Sequence, residues 1–231
     1  MKKYLIVFYL LFAQFCWAQS SFEQGKRLFE QKKYTDAKPF FEKYLAQNPT
    51  DLKTIEYLGD VFGYEQNWDK ALFYYKKLRD SNPKIATYHY KYGGALGMKA
   101  KSVNKFKALG MLDEIEQSFL KAATLDPKHI DTRWALVMLY IELPAIVGGS
   151  EKKAQKYANE LQNISMVDYY LAKGHIEVYF KRYTTAEIYL KKAFEIGHSK
   201  TTFQKLYDLY QNKLKDTKKA TDLQKTFSKI M

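Results

Sequence analysis

Residues Lys33–Asp51 read KYTDAKPFFEKYLAQNPTD, and residues Asn67–Lys84 read NWDKALFYYKKLRDSNPK. Laid over each other at a step of 34 residues, they match Tyr34 with Trp68, Ala37 with Ala71, Phe41 with Tyr75, Tyr44 with Leu78 and Pro49 with Pro83. The same step relates Gly25 to Gly59, Gly59 to Gly93 and Ala186 to Ala220. Self-similarity at one fixed period of this size marks a solenoid of stacked helical hairpins.

Each copy reads as helix. From Ala37 the apolar residues fall at Phe40, Phe41, Tyr44 and Leu45, at helical rather than strand spacing. Pro49 and Pro83 end their helices, and Pro39 is expected in a first turn, where it forfeits at most one hydrogen bond. Leu58, Gly59 and Phe62 form the facing stripe upstream, with Gly59 expected to admit Ala71 to a close crossing.

This pattern resembles the tetratricopeptide repeat (TPR), a helix-turn-helix unit. Residues Leu52–Ile85 carry the resemblance most fully, through Leu58, Gly59, Phe62, Trp68, Ala71, Tyr75, Leu78 and Pro83. The likeness spans essentially the whole chain after its first 18 residues. It implies an all-α fold, a right-handed superhelical solenoid of about six helical pairs. The expected repeats are 18–51, 52–85, 86–129, 130–166, 167–198 and a capping pair, 199–231, forming one cooperative array. The third keeps Tyr92, Gly93 and Leu96, but Pro127 lies 44 residues after Pro83, so ten are inserted around GMKAKSVNKFKALGMLDEIEQ. A longer second helix or a helical loop is expected there, before Phe119 and Ala122. The fourth keeps Leu136 and Tyr140, inserts LPAIVGG, then resumes with Ala154, Ala158 and Leu161 behind a Ser150 cap. In the fifth, Gly174, Tyr183, Ala186, Leu190 and Ala193 fit, yet Glu177 stands where an apolar residue belongs, leaving the register open. The last keeps Ala220 and places Gln224 where an aromatic is expected.

The chain opens MKKYLIVFYLLFAQFCWAQS, with Lys2 and Lys3 before an apolar stretch and the small Ala18 after it. That order predicts a signal peptide over residues 1–18 and an exported protein, periplasmic or extracellular. A membrane anchor is the competing reading, but the stretch falls short of the roughly 20 residues that span a bilayer. A lipid anchor on Cys16 lacks the small residue that such processing needs upstream. With Lys2 and Lys3 removed, 36 basic residues face 25 acidic ones, a net charge of +11, and no cysteine is left. Disulfides, thiol catalysis and cysteine-ligated metal are thereby excluded from the processed chain. No later segment reaches membrane-spanning length.

The basic charge is almost all lysine, with arginine only at Arg27, Arg79, Arg133 and Arg182. The lysines alternate with acids as on solvated helix faces, so specific nucleic-acid binding is not expected, whereas loose attraction to anionic envelope polymers is. His89, His129, His175 and His198 share no metal-ligand spacing, and neither GGALG (Gly93–Gly97) nor VGGSEKK is a phosphate loop. No nucleophile elbow is present, so no cofactor, metal or catalytic set is expected.

The resemblance implies a protein or peptide partner seated on the first helices of the pairs. An acidic chaperone tail does not fit, because that surface carries Phe22, Lys26, Tyr57, Asp60, Thr87 and Lys91, and Asp60 repels a carboxylate. Counting along the repeat puts Tyr64, Tyr90, Met98, Trp134, Met138 and Ile141 on the concave side as candidate anchors. For Trp134 and Met138 a second reading stands beside this one, in which LPAIV folds back over them as a satellite core. The function expected is a non-enzymatic scaffold or adaptor in a bacterial envelope. The alternative is a ligand-handling protein whose two insertions roof a pocket for a small apolar or acidic molecule.

Overall fold

The structure, a computed structural model, describes residues 21–229. The expected leader and its cleavage site lie outside the described residues. Among the described residues the elements are all helical: α1 (described over 21–30), α2 (Tyr34–Gln47), α3 (Leu52–Tyr64), α4 (Trp68–Ser81), α5 (Ala86–Ser102), α6 (Lys105–Leu109), α7 (Leu112–Leu125), α8 (Ile130–Glu142), α9 (Glu151–Glu160), α10 (Met166–Tyr179), α11 (Tyr183–Gly197), α12 (Lys200–Asp208) and α13 (Thr217–Phe227). They gather into two compact units that divide between Leu125 and Asp126.

Polar side chains start the helices where the sequence places them. Asp51 accepts the Thr54 N–H at 2.7 Å, Asn67 the Lys70 N–H at 3.3 Å, and Ser150 the Lys153 N–H at 3.2 Å. Each cap satisfies an amide that the first helical turn leaves unpaired. The corners within pairs recur as well. Lys32, Gln66 and Lys181 take a left-handed conformation at φ 62°, 57° and 60°, and the residue after each donates its N–H to Leu28, Phe62 or Glu177.

In the N-terminal unit α3 packs on α4, α4 on α5 and α5 on α7; in the C-terminal unit α8 packs on α9 and α10 on α11. A glycine against a large side chain sets the crossing in four pairs. A Cβ added at Gly25 would lie 2.9 Å from the Phe41 ring, at Gly59 2.5 Å from Tyr75, at Gly93 3.1 Å from Phe119, and at Gly174 2.6 Å from Leu190. The glycine of α3 thus admits Tyr75, one turn beyond the expected Ala71, which is itself wholly buried. In the fourth pair the sizes are exchanged: Val137 stands at the glycine position and Ala158 at the ring position, both fully buried.

The Gly174–Leu190 contact fixes the register of the fifth repeat, and Glu177 keeps its place in it. Its carboxylate is buried and receives Arg182 Nε at 2.5 Å and Gln155 Nε2 at 3.5 Å, while Arg182 also donates to Glu151 at 2.5 Å. A paired carboxylate with hydrogen-bond donors can occupy a site where an unpaired charge could not. Arg182 holds Glu151 below the usual carboxylate range.

Of the two forms expected for the ten-residue insertion, the helical loop is the one observed: the short α6 lies between α5, which is longer than α3, and α7, and the second helix is not extended. One expectation changes: because α2 begins at Tyr34, Pro39 lies in its second turn and not its first. The chain from Leu206 to Ala220 is one residue longer than from Leu58 to Ala71, and a π-helical turn over Leu209–Leu214 takes up the difference.

Candidate functional site

On α3 the residues Glu56, Asp60, Gly63 and Tyr64 share one face, spaced i, i+4, i+7 and i+8. Thirty-four residues later Tyr90, Gly94, Gly97 and Met98 repeat that spacing on α5. Together with the start of α4 these faces bound a groove of 410 Å³, lined by Asp60, Gly63, Tyr64, Trp68, Tyr90 and Gly94 among others.

Its glycines are of a different kind from those at the helix crossings. A Cβ on Gly94 would meet nothing within 4 Å, and one on Gly63 only the Tyr75 hydroxyl, at 3.6 Å. Glycine in a helix interior costs about 0.5–1 kcal/mol against alanine. No packing contact requires that cost at Gly94, which leaves bare helix backbone as a floor. Tyr64, Trp68 and Tyr90 rise around it. Tyr64 is 59% exposed, stacked on Tyr34 at 3.8 Å between centroids, and anchored through Phe29 to the ring cluster of Phe41 and Tyr57.

The charges beside the groove are used within the protein. Lys91 Nζ donates to Asp60 at 2.6 and 2.7 Å and lies 2.8 Å from Glu56, while the Tyr75 hydroxyl donates to Asp60 at 2.7 Å. Burial alone would raise the Glu56 carboxyl, but Lys91 holds it below its usual range. Burial and the Asp60 carboxylate push the Tyr75 hydroxyl well above the ordinary range. Lys91 therefore offers no free cation to an acidic tail, for a stronger reason than the sequence supplied.

The six sequence-predicted anchors divide. Tyr64 and Tyr90 line the groove, and Met98, 45% exposed, stands at the far end of the α5 stripe. Trp134, Met138 and Ile141 lie in the other unit. Ile141 is only 3% exposed and belongs to the core, which corrects its assignment to an open face. The apolar face of α8 is broad, with Leu136, Val137, Tyr140 and Ile141 all buried, so a position count overstates what is left open. Met138 is half-buried. Trp134 is a packing residue: its Nε1–H donates to Asp168 at 2.9 Å, and its ring packs against His175 and the cluster of Leu171 and Leu190. Its cover comes from α10, not from the inserted loop, whose Ile146 is 93% exposed. No residue lining the groove comes from the ten-residue insertion of the same unit, so that insertion does not roof it.

Position counting overlooked Gly63, Gly94 and Trp68. The signal was present in GGALG: only one of the glycines at 93 and 94 is needed at the crossing.

The histidines have local roles. His89 Nε2 pairs with the Pro83 carbonyl at 2.9 Å, His129 Nδ1 accepts the Thr132 N–H at 3.2 Å, and His198 ends α11 in a left-handed conformation. Among the described residues no group of three or more His, Cys, Asp and Glu is placed to hold a metal ion.

Against known structures the chain aligns over nearly its full length with a thermophilic TPR protein of Thermus thermophilus, at TM-score 0.66 and 16% identity, covering 92% of this chain and 98% of that one. The chain has the tetratricopeptide-repeat fold. Also similar in structure are PilW, described as a widely conserved type IV pilus biogenesis factor (TM-score 0.67, 14% identity, 90% and 91% of the two chains), and Pseudomonas aeruginosa PilF (TM-score 0.63, 17% identity, 92% and 91%). No protein-family model matches the chain, and no curated protein matches it in sequence. No helix among the described residues is long and apolar enough to cross a membrane.

Proposed function

We propose that this TPR-fold protein is a non-enzymatic scaffold that seats a protein or peptide partner on the open face of α3 and α5. The observation that carries this reading is the bare backbone at Gly94 and Gly63 between Tyr64, Trp68 and Tyr90. An extended peptide can approach such a floor closely and place an apolar side chain among the rings, where rigid aromatics give much contact area for little lost entropy. Met98 adds an adaptable edge to the same stripe.

Export to a bacterial envelope belongs to the same proposal. It is supported by the leader pattern of residues 1–18, by the basic surface, and by a pilus biogenesis factor among the fold neighbours. The alternative of a small ligand under a lid of insertions loses its support, since the groove is lined by α3, α4 and α5 alone.

Cross-linked capture from the native host, followed by native mass spectrometry, tests the reading. A co-purified polypeptide that is lost with Tyr64→Ala or Tyr90→Ala while the fold melts cooperatively is the expected outcome. A small co-purified mass, or capture indifferent to both substitutions, contradicts it.

A further inference from the structure

The ten-residue insertion is the largest departure from the repeat, and the scaffold reading makes no use of it. Its helix α6 has no buried residue. Phe106 is 88% exposed and Leu109 47%, and at spacing i, i+3 they share one face. Lys105 and Lys107 flank Phe106, are exposed, and pair with no acid among the described residues. The chain carries no carboxylate between Asp80 and Asp113, a stretch that holds six lysines; Lys91 and Lys99 pair with acids on α3 and α4, and Lys101 also has a partner.

We infer that the α6 corner is an interfacial anchor for an anionic lipid bilayer. Phe106 and Leu109 would enter the boundary between headgroups and acyl chains, with Lys105 and Lys107 on the headgroups. The form of the surface selects this occupant. A protruding apolar pair beside lysines needs negative charge at the surface and hydrocarbon directly beneath it, and an anionic bilayer supplies both in that order. A folded acidic protein supplies the charge but needs a matching pocket, and a second copy of this chain meets the same lysines with lysines. Lysine stems can also lie along the apolar face while their heads stay with the phosphates.

The test is co-sedimentation of the protein, isolated from its host as processed there, with vesicles of about 30% phosphatidylglycerol in phosphatidylcholine. Binding is expected on these vesicles and not on pure phosphatidylcholine. Lys105→Glu with Lys107→Glu should weaken it by about 25-fold or more, and Phe106→Ser with Leu109→Ser by about tenfold. All four side chains are exposed, so melting should stay within a few degrees, and both variants keep the parent's N-terminus. Four results overturn the inference: a parent that ignores lipid charge, a serine variant that sediments like the parent, association that survives both variants, or self-association without vesicles that the variants abolish. None of these bears on the groove of α3 and α5.

Discussion

The first helices of the two compact units carry the same register with different fillings. On α3 and α5 the stripe reads Glu56, Asp60, Gly63, Tyr64 and Tyr90, Gly94, Gly97, Met98; on α8 and α10 it reads Trp134, Met138, Ile141, Glu142 and Leu171, His175, Val178, Tyr179. The positions follow from Gly59, Gly93, Val137 and Gly174, which stand at the same crossing point of their pairs. Where the stripe is glycine, space is left over the backbone; where it is Trp134, Ile141 or Leu171, the side chains are absorbed into the unit's own packing. One backbone pattern therefore yields an open face or a closed one according to side-chain volume at three or four positions per helix.

The largest expected effect breaks the comparison if it fails. Trp134→Ala should cost about 3–5 kcal/mol, because it removes a packed ring and leaves Asp168 without the indole donor. Tyr64→Ala, on the open face, should cost only about 1 kcal/mol through its stack on Tyr34. Denaturant melts giving equal losses would mean that the two faces are not different in kind. Next in size is Gly59→Ala, whose Cβ would stand 2.5 Å from a Tyr75 ring tethered to Asp60; a loss of about 1–3 kcal/mol is expected. A neutral result would remove the glycine-against-ring crossing.

A smaller effect sharpens the closed side. Burial pushes the His175 imidazole below its usual value, and Lys205 adds to the shift against the opposing pull of Glu142. The folded protein thus resists protonation that the unfolded chain accepts, so stability should fall as pH drops through about 6.5. His175→Gln should flatten that part of the curve between pH 7 and 5, read from urea midpoints at each pH. A parent and variant with parallel curves would show that His175 titrates as it does in the unfolded chain.

Much of this fold is legible in the sequence because its repeat writes the same contact several times. Gly25, Gly59, Gly93 and Gly174 are each followed at a fixed structural offset by the side chain they admit. The errors come from what a period cannot carry. Ala71 and Tyr75 lie one turn apart on the same face of α4, so spacing alone does not say which of them meets Gly59. Ile141 was misplaced because the buried face of α8 is wide, and that width depends on neighbouring helices. The Glu177 network was illegible for a related reason, since Gln155 and Glu151 reach it from another helix of the fold. The open glycines were present in the sequence but not recognised there, because a glycine that admits a ring and a glycine that admits a partner look alike until the ring is located.

Gly94→Ala tests the central claim most directly, with Gly93→Ala as its neighbour and control. Gly93→Ala should destabilise, since its Cβ would lie 2.9 Å from Ser118 and 3.1 Å from Phe119. Gly94→Ala should stabilise the fold by about 0.5–1 kcal/mol, having no neighbour to displace, and at the same time reduce the partner captured from the host. Raised stability with undiminished capture would contradict the account, because the bare backbone at Gly94 would then serve no partner.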